Sequence, residues 1–374
     1  MAILKPNIPL KYVKPDGTTQ SEYPLTSIDQ VIDEDGIHRL NQTIVRADLS
    51  DVEEGQVVLT NADLLENHPA SYFATKEGLD TLNTNFNALN TNKLSIFDTA
   101  GFHNSIVRGK DITSYYTDGT LWSRIAGTNG FRPYEDLYLG DYFKMSRPIS
   151  AYSQDQNFQA TGSQYVTIAG FDCMRMNGNN ADMNFNHITC VPGQFRSGAF
   201  HFGRSRMNPS NTTTGGYVGS EMYTATIGEV ATSGSTATTA TINQQLYAEF
   251  GSHLKTFRES LSKAINASGY NRFGTNNGCS NARGWYSCQA VLMSEVEVYG
   301  ATVWSSSGFD TGTACMQLPL FARDKACINN RSSYYWLKDV ATASYFCAVD
   351  NGGLASYDRA GYAYLCVRPR FNLA

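Results

Sequence analysis

Apolar positions along this chain recur in a few distinct rhythms. Leu79, Leu82, Phe86, Leu89 and Ile96 follow alternating steps of three and four, with Lys93 in the same register. That is the a and d pattern of a coiled coil. The intervening positions are mostly Asn, Thr and Asp, which are poor helix formers, so a helix this short is marginal alone in water. The pattern predicts a seam buried between copies of the chain, and Phe at a core position suits three strands better than two. An amphipathic helix lying on its own chain is the alternative. Further on, Leu246, Phe250, Leu254, Phe257 and Leu261 predict one long amphipathic helix, with Asn243 as N-cap and Gly269 as stop. A shorter helix is expected from Ser220 to about Val230, and strands over Leu137–Phe143 and Val291–Tyr299.

Residues 1–60 read as short strands broken at Pro15-Asp16-Gly17 and Asp33-Glu34-Asp35-Gly36. They hold too few apolar residues for a core of their own, so the segment is expected to lean on neighbouring copies or on a docking partner. The resulting division is an attachment segment (1–60), a linker with the short coiled coil (61–99), a β-rich connector (100–133) and a compact domain (134–374). Two helices among many short strands and long Gly/Asn loops make the compact domain, and the fold class, α+β, not a βαβ repeat.

With 374 residues, a formal charge of -5 and only 17% charged residues, the surface is largely neutral-polar. No basic run is present, which disfavours nucleic-acid binding. The apolar stretches are too short for membrane insertion, and Met1-Ala2-Ile3-Leu4-Lys5-Pro6-Asn7 lacks the apolar segment of a secretory signal. Synthesis in a cytoplasm is expected, with any later exposure by another route. Cys173, Cys190, Cys279, Cys288, Cys315, Cys327, Cys347 and Cys366 include no Cys-x-x-Cys pair, so a zinc knuckle is not expected. Buried free thiols are the favoured reading, and Cys279 with Cys288 is the first pair to test for a disulfide.

Candidate chemistry is sparse. Glu295 and Glu297 would share one face of an extended strand, at a separation that suits a glycosidase; facing solvent, or Arg residues at a subunit contact, is the favoured alternative. Ser260-Leu261-Ser262-Lys263 has Ser-x-x-Lys spacing without companion motifs. His187 and His201 fit core or loop roles better than ligation. Asn179, Asn180 and Asp182 are candidate calcium oxygens, but Asn-rich loops commonly satisfy their own backbone. No Walker loop or dinucleotide fingerprint occurs. The expectation is a protein without cofactor, metal or catalytic residues.

The last stretch is the most informative. It opens with Trp336-Leu337-Lys338-Asp339, closes on Val367-Arg368-Pro369-Arg370-Phe371, and is rich in Tyr, Ser, Ala and Gly between. Trp336 is expected to anchor the core, and Arg368 to tie the final strand to a buried carboxylate or to carbonyls. Tyrosine offers large contact area at low rotamer cost and small residues offer adaptability, as in binding loops. From Asp339 to Ala374 there is no Trp, Gln, Glu, Lys or Met.

Residues 134–374 resemble a phage and prophage tail-protein domain related to the C-type lectin fold. The matching pieces, in order, are Asp136-Leu137-Tyr138-Leu139-Gly140-Asp141-Tyr142, Met207-Asn208, Gly215-Gly216-Tyr217-Val218-Gly219-Ser220-Glu221-Met222, Leu292-Met293-Ser294-Glu295-Val296-Glu297-Val298-Tyr299-Gly300, Gln317-Leu318-Pro319-Leu320-Phe321 and the two framing motifs just quoted. Ser27-Ile28-Asp29-Gln30-Val31-Ile32-Asp33 and Leu65-Glu66-Asn67-His68-Pro69-Ala70-Ser71-Tyr72-Phe73 are similar to short repeats near the attachment ends of tail fibres.

This resemblance implies a trimeric tail-fibre or baseplate-tip protein of a virion. Leu79, Leu82, Phe86, Leu89 and Ile96 would trimerise it, and the N-terminus would dock to other tail or baseplate proteins. The C-terminal domain would bind a bacterial cell-surface receptor, protein or glycan. The receptor-binding residues it implies are Asn330, Arg331, Ser332, Ser333, Tyr334, Tyr335, Tyr345, Phe346, Tyr357, Asp358, Arg359, Tyr362 and Tyr364. Some lectin-like phage proteins carry loops diversified by a retroelement that mutates template adenines, and Asn codons changed this way never yield Trp, Gln, Glu, Lys or Met. The depletion after Lys338 fits that constraint; chance is the alternative, and the codons decide between them. The lectin calcium motifs Glu-Pro-Asn, Gln-Pro-Asp and Trp-Asn-Asp are absent from the sequence. A structural tail or decoration protein, or a polysaccharide depolymerase, are the competing functions.

Overall fold

The computed structural model describes residues 10–13, 19–22, 76–153, 155–176, 180–198, 200–263, 283–305, 316–329 and 333–374. Two compact units divide the chain, Met1–Lys93 and Leu94–Ala374.

In the first unit, β1 (Leu10–Val13) and β2 (Thr19–Glu22) form an antiparallel hairpin. The expected turns Pro15-Asp16-Gly17 and Asp33-Glu34-Asp35-Gly36 lie outside the described residues. Helix α1 runs over Lys76–Phe97, its last four residues belonging to the second unit. Leu79, Leu82, Phe86 and Leu89 are 44%, 65%, 59% and 57% exposed in the single chain. The side chains of Lys93 and Ile96 lie outside the description.

The second unit is a mixed α+β fold built on antiparallel sheets. It begins with three short helices, α2 (Ala100–His103), α3 (Thr113–Thr117) and α4 (Thr120–Ala126). The stretch 100–133, expected to be a β-rich connector, instead carries three short helices joined by turns and isolated bridges, and is part of the compact unit. Ile112, Leu121 and Ile125 are wholly buried, and backbone bridges join Val107 to Leu139 and Asp111 to Tyr142. Gly109 and Gly140, at φ +74° and +81°, flank the Phe195 ring so closely that a Cβ would stand 2.2 and 2.7 Å from it. Glycine supplies both the left-handed backbone and the space.

The main sheet contains β3 (Tyr142–Lys144), β4 (Tyr165–Phe171), β5 (Ile188–Pro192), β6 (Leu254–Lys255), β9 (Ala290–Leu292) and β13 (Pro369–Leu373), in the order β3-β4-β5-β13-β6 with β9 also pairing β13. The strand predicted at Leu137–Phe143 is replaced by β3, because Gly140, at φ +81°, breaks the extended run within it. β13 is buried along its whole length. Its alternation sends Phe371 toward Phe202 and Phe250, with ring centroids 6.1 and 6.0 Å apart. Arg370 and Asn372 take the opposite face. Pro369 is tolerated because it starts the strand.

Three sequence expectations are corrected. The long helix ends at Phe250: α5 covers Ile242–Phe250, and Gly251 at φ +55° turns the chain into a 3-10 turn and then β6. Phe257 and Leu261 lie in β7 (Phe257–Ser262), paired with β8 (Arg283–Cys288). A spacing of four satisfies both a helical and an alternating pattern, so those two residues could not discriminate. The N-cap is Thr241, in a reciprocal capping box with Gln244; Asn243 instead bonds Gly228 O and Ala290 N. Gly269 lies outside the described residues. The shorter helix is a wide π-type turn over Met222–Ile227.

The strand expected over Val291–Tyr299 divides. β9 stops at Leu292, and α6 (Glu295–Tyr299) starts from a capping box in which Ser294 and Glu297 satisfy each other's backbone N–H. After α7 (Pro319–Arg323), a three-stranded antiparallel sheet forms from β10 (Tyr335–Val340), β11 (Tyr345–Val349) and β12 (Ala355–Arg359).

Candidate functional site

Strand β10 is the rigid base of the small sheet. Trp336 is wholly buried and its indole N–H donates to Ser205 O at 2.8 Å. Arg368 donates to Ile328 O at 2.9 Å and Cys327 O at 2.8 Å, and its guanidinium lies 5.0–5.2 Å from the rings of Tyr335, Phe200 and Phe321. Both scaffold roles expected from the sequence are present. Both terminal nitrogens of Arg368 meet carbonyls, which offsets much of the cost of burying this group, while its Nε is buried without a hydrogen-bond partner among the described residues.

Four buried charges lock β10 to its neighbours. Lys338 Nζ reaches Glu259 Oε1 at 2.6 Å and Glu297 Oε2 at 3.1 Å; Arg370 Nη2 reaches Glu259 Oε2 at 2.7 Å, and Arg370 Nε bonds Glu297 Oε1. All four side chains are at most 3% exposed. Burial opposes charge on Glu297, but Arg370 and Lys338 outweigh it and hold its carboxyl below the usual range. Burial likewise works against the Lys338 ammonium, and Glu259 and Glu297 more than restore it.

Glu295 makes a different device. Its carboxylate accepts the backbone N–H groups of Val303, Trp304 and Ser305 at 2.9–3.1 Å, and the Ser305 hydroxyl at 2.6 Å. Its own N–H donates to Asp339 Oδ2 at 2.6 Å. Burial, then the charge of Glu295, pushes the Asp339 carboxyl up to about 7. Glu295 and Glu297 thus sit on a helix, buried and engaged, not side by side on a solvent-facing strand. Positions two apart on a helix do not face each other.

The cradle fixes Trp304 beside the sheet. Its indole N–H donates to Ala355 O at 3.1 Å, and its ring meets Tyr357 edge to face at 4.5 Å and 68°. Tyr357 meets Tyr345 at 5.4 Å and 86°. Register explains the grouping: Tyr345 pairs Arg359 and Cys347 pairs Tyr357, so Tyr345, Tyr357 and Arg359 share one face. Arg359 Nε donates to the Tyr345 hydroxyl at 3.2 Å, and Tyr362, 37% exposed, continues the patch. Below it, the Tyr364 hydroxyl bonds Asp358, whose other oxygen accepts Arg359 N at 2.8 Å.

Of the residues expected to bind receptor, Tyr345, Tyr357, Arg359, Tyr362 and Tyr364 gather here, with Asp358 buried beneath as their support. Ser333 and Tyr334 are half-buried at the start of the sheet. Tyr335 and Phe346 are corrected: both are 0% exposed. Tyr335 bonds Ile328 O and packs on Arg368, and Phe346 lies opposite Asp358 on the inner face of the sheet. Asn330, Arg331 and Ser332 lie outside the described residues. Trp304 was not among the expected site residues; no periodicity marks it, because its place depends on Glu295.

The remaining candidates are structural. Asn180 bonds both backbone groups of Arg258, and Asp182 is exposed; Asn179 lies outside the described residues. His187 accepts Met174 N–H, His201 accepts Gly203 N–H, and burial holds the latter's imidazole down to about 4. Ser260 and Ser262 belong to β7, where Ser262 accepts Tyr217 N–H. Cys173, Cys190, Cys288 and Cys327 are buried free thiols, Cys347 and Cys366 are buried, and Cys279 and Cys315 lie outside the described residues. Among the described residues, no group of three His, Cys, Asp or Glu side chains is placed to hold a metal, and no helix is long and apolar enough to cross a membrane. Compared with known proteins, the chain matches no family model, no curated protein and no solved structure.

Proposed function

We propose that this chain is a virion tail-fibre or baseplate-tip adhesin. Its C-type-lectin-like second unit binds a bacterial surface receptor, and its N-terminal segment docks to the tail. The single observation that carries the reading is the Trp304–Tyr345–Tyr357–Arg359–Tyr362 patch, in which Tyr357, Arg359 and Tyr362 are exposed and Trp304 and Tyr345 half-buried, on a sheet whose first strand, β10, is buried throughout. Aromatic and Arg side chains held rigidly at a surface are the residue types that dominate binding energetics. The exposed seam of α1 supports a trimeric coiled coil, because four large apolar side chains on one helix face are otherwise left in water. Three copies would turn weak single contacts into avidity.

The test is adsorption of purified protein to a panel of bacteria. The triple variant Trp304→Ala, Tyr357→Ala, Tyr362→Ala is expected to lose adsorption while keeping its oligomeric state and Tm within a few degrees. Undiminished adsorption by the variant, or none by the wild-type protein, overturns the reading; a protein that binds no cells but assembles into particles is a structural tail component.

A further inference from the structure

We propose that the Arg359 face of β11–β12 recognises the acidic group, carboxylate or phosphate, of a bacterial surface glycan. This inference rests on the adhesin reading and narrows its ligand. Arg359 is exposed, yet it is held: Nε donates to Tyr345 at 3.2 Å, and the guanidinium carbon lies 5.9 Å from the Tyr362 ring centroid. Among the described residues no carboxylate forms an ion pair with it. The adjacent Asp358 points to the opposite face, pairs across the sheet with Phe346, and has both oxygens engaged by Tyr364 and by Arg359 N.

The two terminal nitrogens of Arg359 therefore form an oriented planar fork. That geometry matches the two oxygens of a carboxylate or phosphate, which a lysine ammonium would not. Fixing Nε to Tyr345 reduces the rotamer freedom that binding must otherwise remove. In a chain of formal charge -5, a fixed cation without an acidic partner on an aromatic face is a complement to negative charge.

The surroundings favour a glycan over a protein. Trp304, Tyr357 and Tyr345 meet edge to face, at interplanar angles of 68° and 86°, which leaves stepped ring faces beside the cation. Such faces pack the apolar C–H faces of sugar rings. Among the described residues the patch comprises a handful of side chains, whereas a standard protein interface takes roughly 20–30 residues a side. A compact ligand of a few sugar rings carrying one acid fits that footprint.

The experiment uses the full chain in two arms. In the first, adsorption to bacteria is measured after periodate or protease treatment of the cells. In the second, retention is measured on immobilised lipoteichoic acid (phosphate), polygalacturonate (carboxylate), and neutral mannan and dextran. Periodate is expected to abolish adsorption and protease to spare it. Retention is expected on an acidic polymer and on neither neutral one, the two acidic polymers distinguishing phosphate from carboxylate. Arg359→Gln should weaken binding about tenfold or more, and Arg359→Lys should weaken it less. Added salt should weaken wild-type binding more than that of Arg359→Gln. Unchanged Tm in both variants confirms an intact frame. Binding that survives Arg359→Gln, prefers neutral polymers, or is lost to protease overturns the inference while leaving the adhesin reading standing. Adsorption to no cell and retention on no polymer overturns both.

Discussion

Glu297 sits where four segments meet, and its removal measures what the buried charges contribute. Glu297→Gln keeps the side-chain shape and an acceptor for Ser294 N–H, but leaves Lys338 and Arg370 sharing only Glu259. Deleting one partner of a buried network costs about 3–5 kcal/mol, because an uncompensated charge stays in the interior. At roughly 2 °C per kcal/mol for a unit of this size, Tm should fall by about 6–10 °C near neutral pH.

The loss also has a definite pH dependence. Burial would raise the Glu297 carboxyl, but Arg370 and Lys338 prevail and bring it from 4.5 to about 2 in the folded chain. A depressed folded value means stability that is present above the unfolded value and lost as pH falls through the folded one. The gap between wild type and variant should therefore be full at neutral pH and close between 4.5 and about 2. Calorimetry of both proteins across that window reads it directly. Adding Lys338→Met to the variant removes the stranded positive charge and leaves Arg370 matched to Glu259, so the double variant should recover part of the loss. A Glu297→Gln cost below about 1 kcal/mol, or a double variant that sums both single losses, would refute the account.

Two further predictions concern other parts of the molecule. Phe86→Asp places a charge in the α1 seam and should reduce the mass in light scattering from trimer to monomer, leaving the melting of the Leu94–Ala374 unit unchanged; a monomeric wild-type protein would contradict the seam reading. Asp339 is raised from 3.8 to about 7 by burial and then by Glu295, so the folded chain holds a proton that the unfolded chain has released. Stability from this group is present below 3.8 and lost as pH rises through about 7. Asp339→Asn should remove that slope and gain stability relative to wild type above neutrality, as read by Tm against pH.

Much of the frame was legible because the chemistry left few alternatives. A Trp and an Arg-Pro bracketing the last stretch read as scaffold, and Trp336 and Arg368 are scaffold, each bonded to backbone carbonyls. The helix at Lys76–Phe97 followed from its rhythm. Errors arose where one spacing serves two structures: Phe257 and Leu261 fit a helix or a strand equally. At Ser294-Glu295-Val296-Glu297 the capping-box signal was present but lost to a run of alternating Val and Glu. At the site, composition identified the aromatic residues but not their faces. Only the β11–β12 register separates exposed Tyr357 from buried Phe346. Trp304 was invisible for a further reason: the group that positions it is nine residues earlier and acts through backbone N–H groups, which have no sequence signature.

The two buried networks converge on α6. Glu297 ties that helix to β10 and β13 through Lys338 and Arg370, which also hold Glu259 of β7, while Glu295, two residues earlier, ties it to the Trp304 segment and, through its own N–H, to Asp339 of β10. The aromatic patch therefore rests on one charge-locked joint, and its outer residues contribute little to that joint. Tyr357, Arg359 and Tyr362 make no buried ion pair among the described residues, and Tyr357 and Tyr362 are 41% and 37% exposed. Surface substitutions away from buried features usually change stability by less than about 0.5 kcal/mol. Side chains here can thus be exchanged at small cost in stability while Glu295, Glu297, Asp339 and Arg370 hold the backbone that displays them. A recognition surface free to vary on a fixed frame requires that separation between the residues that bind and the residues that fold.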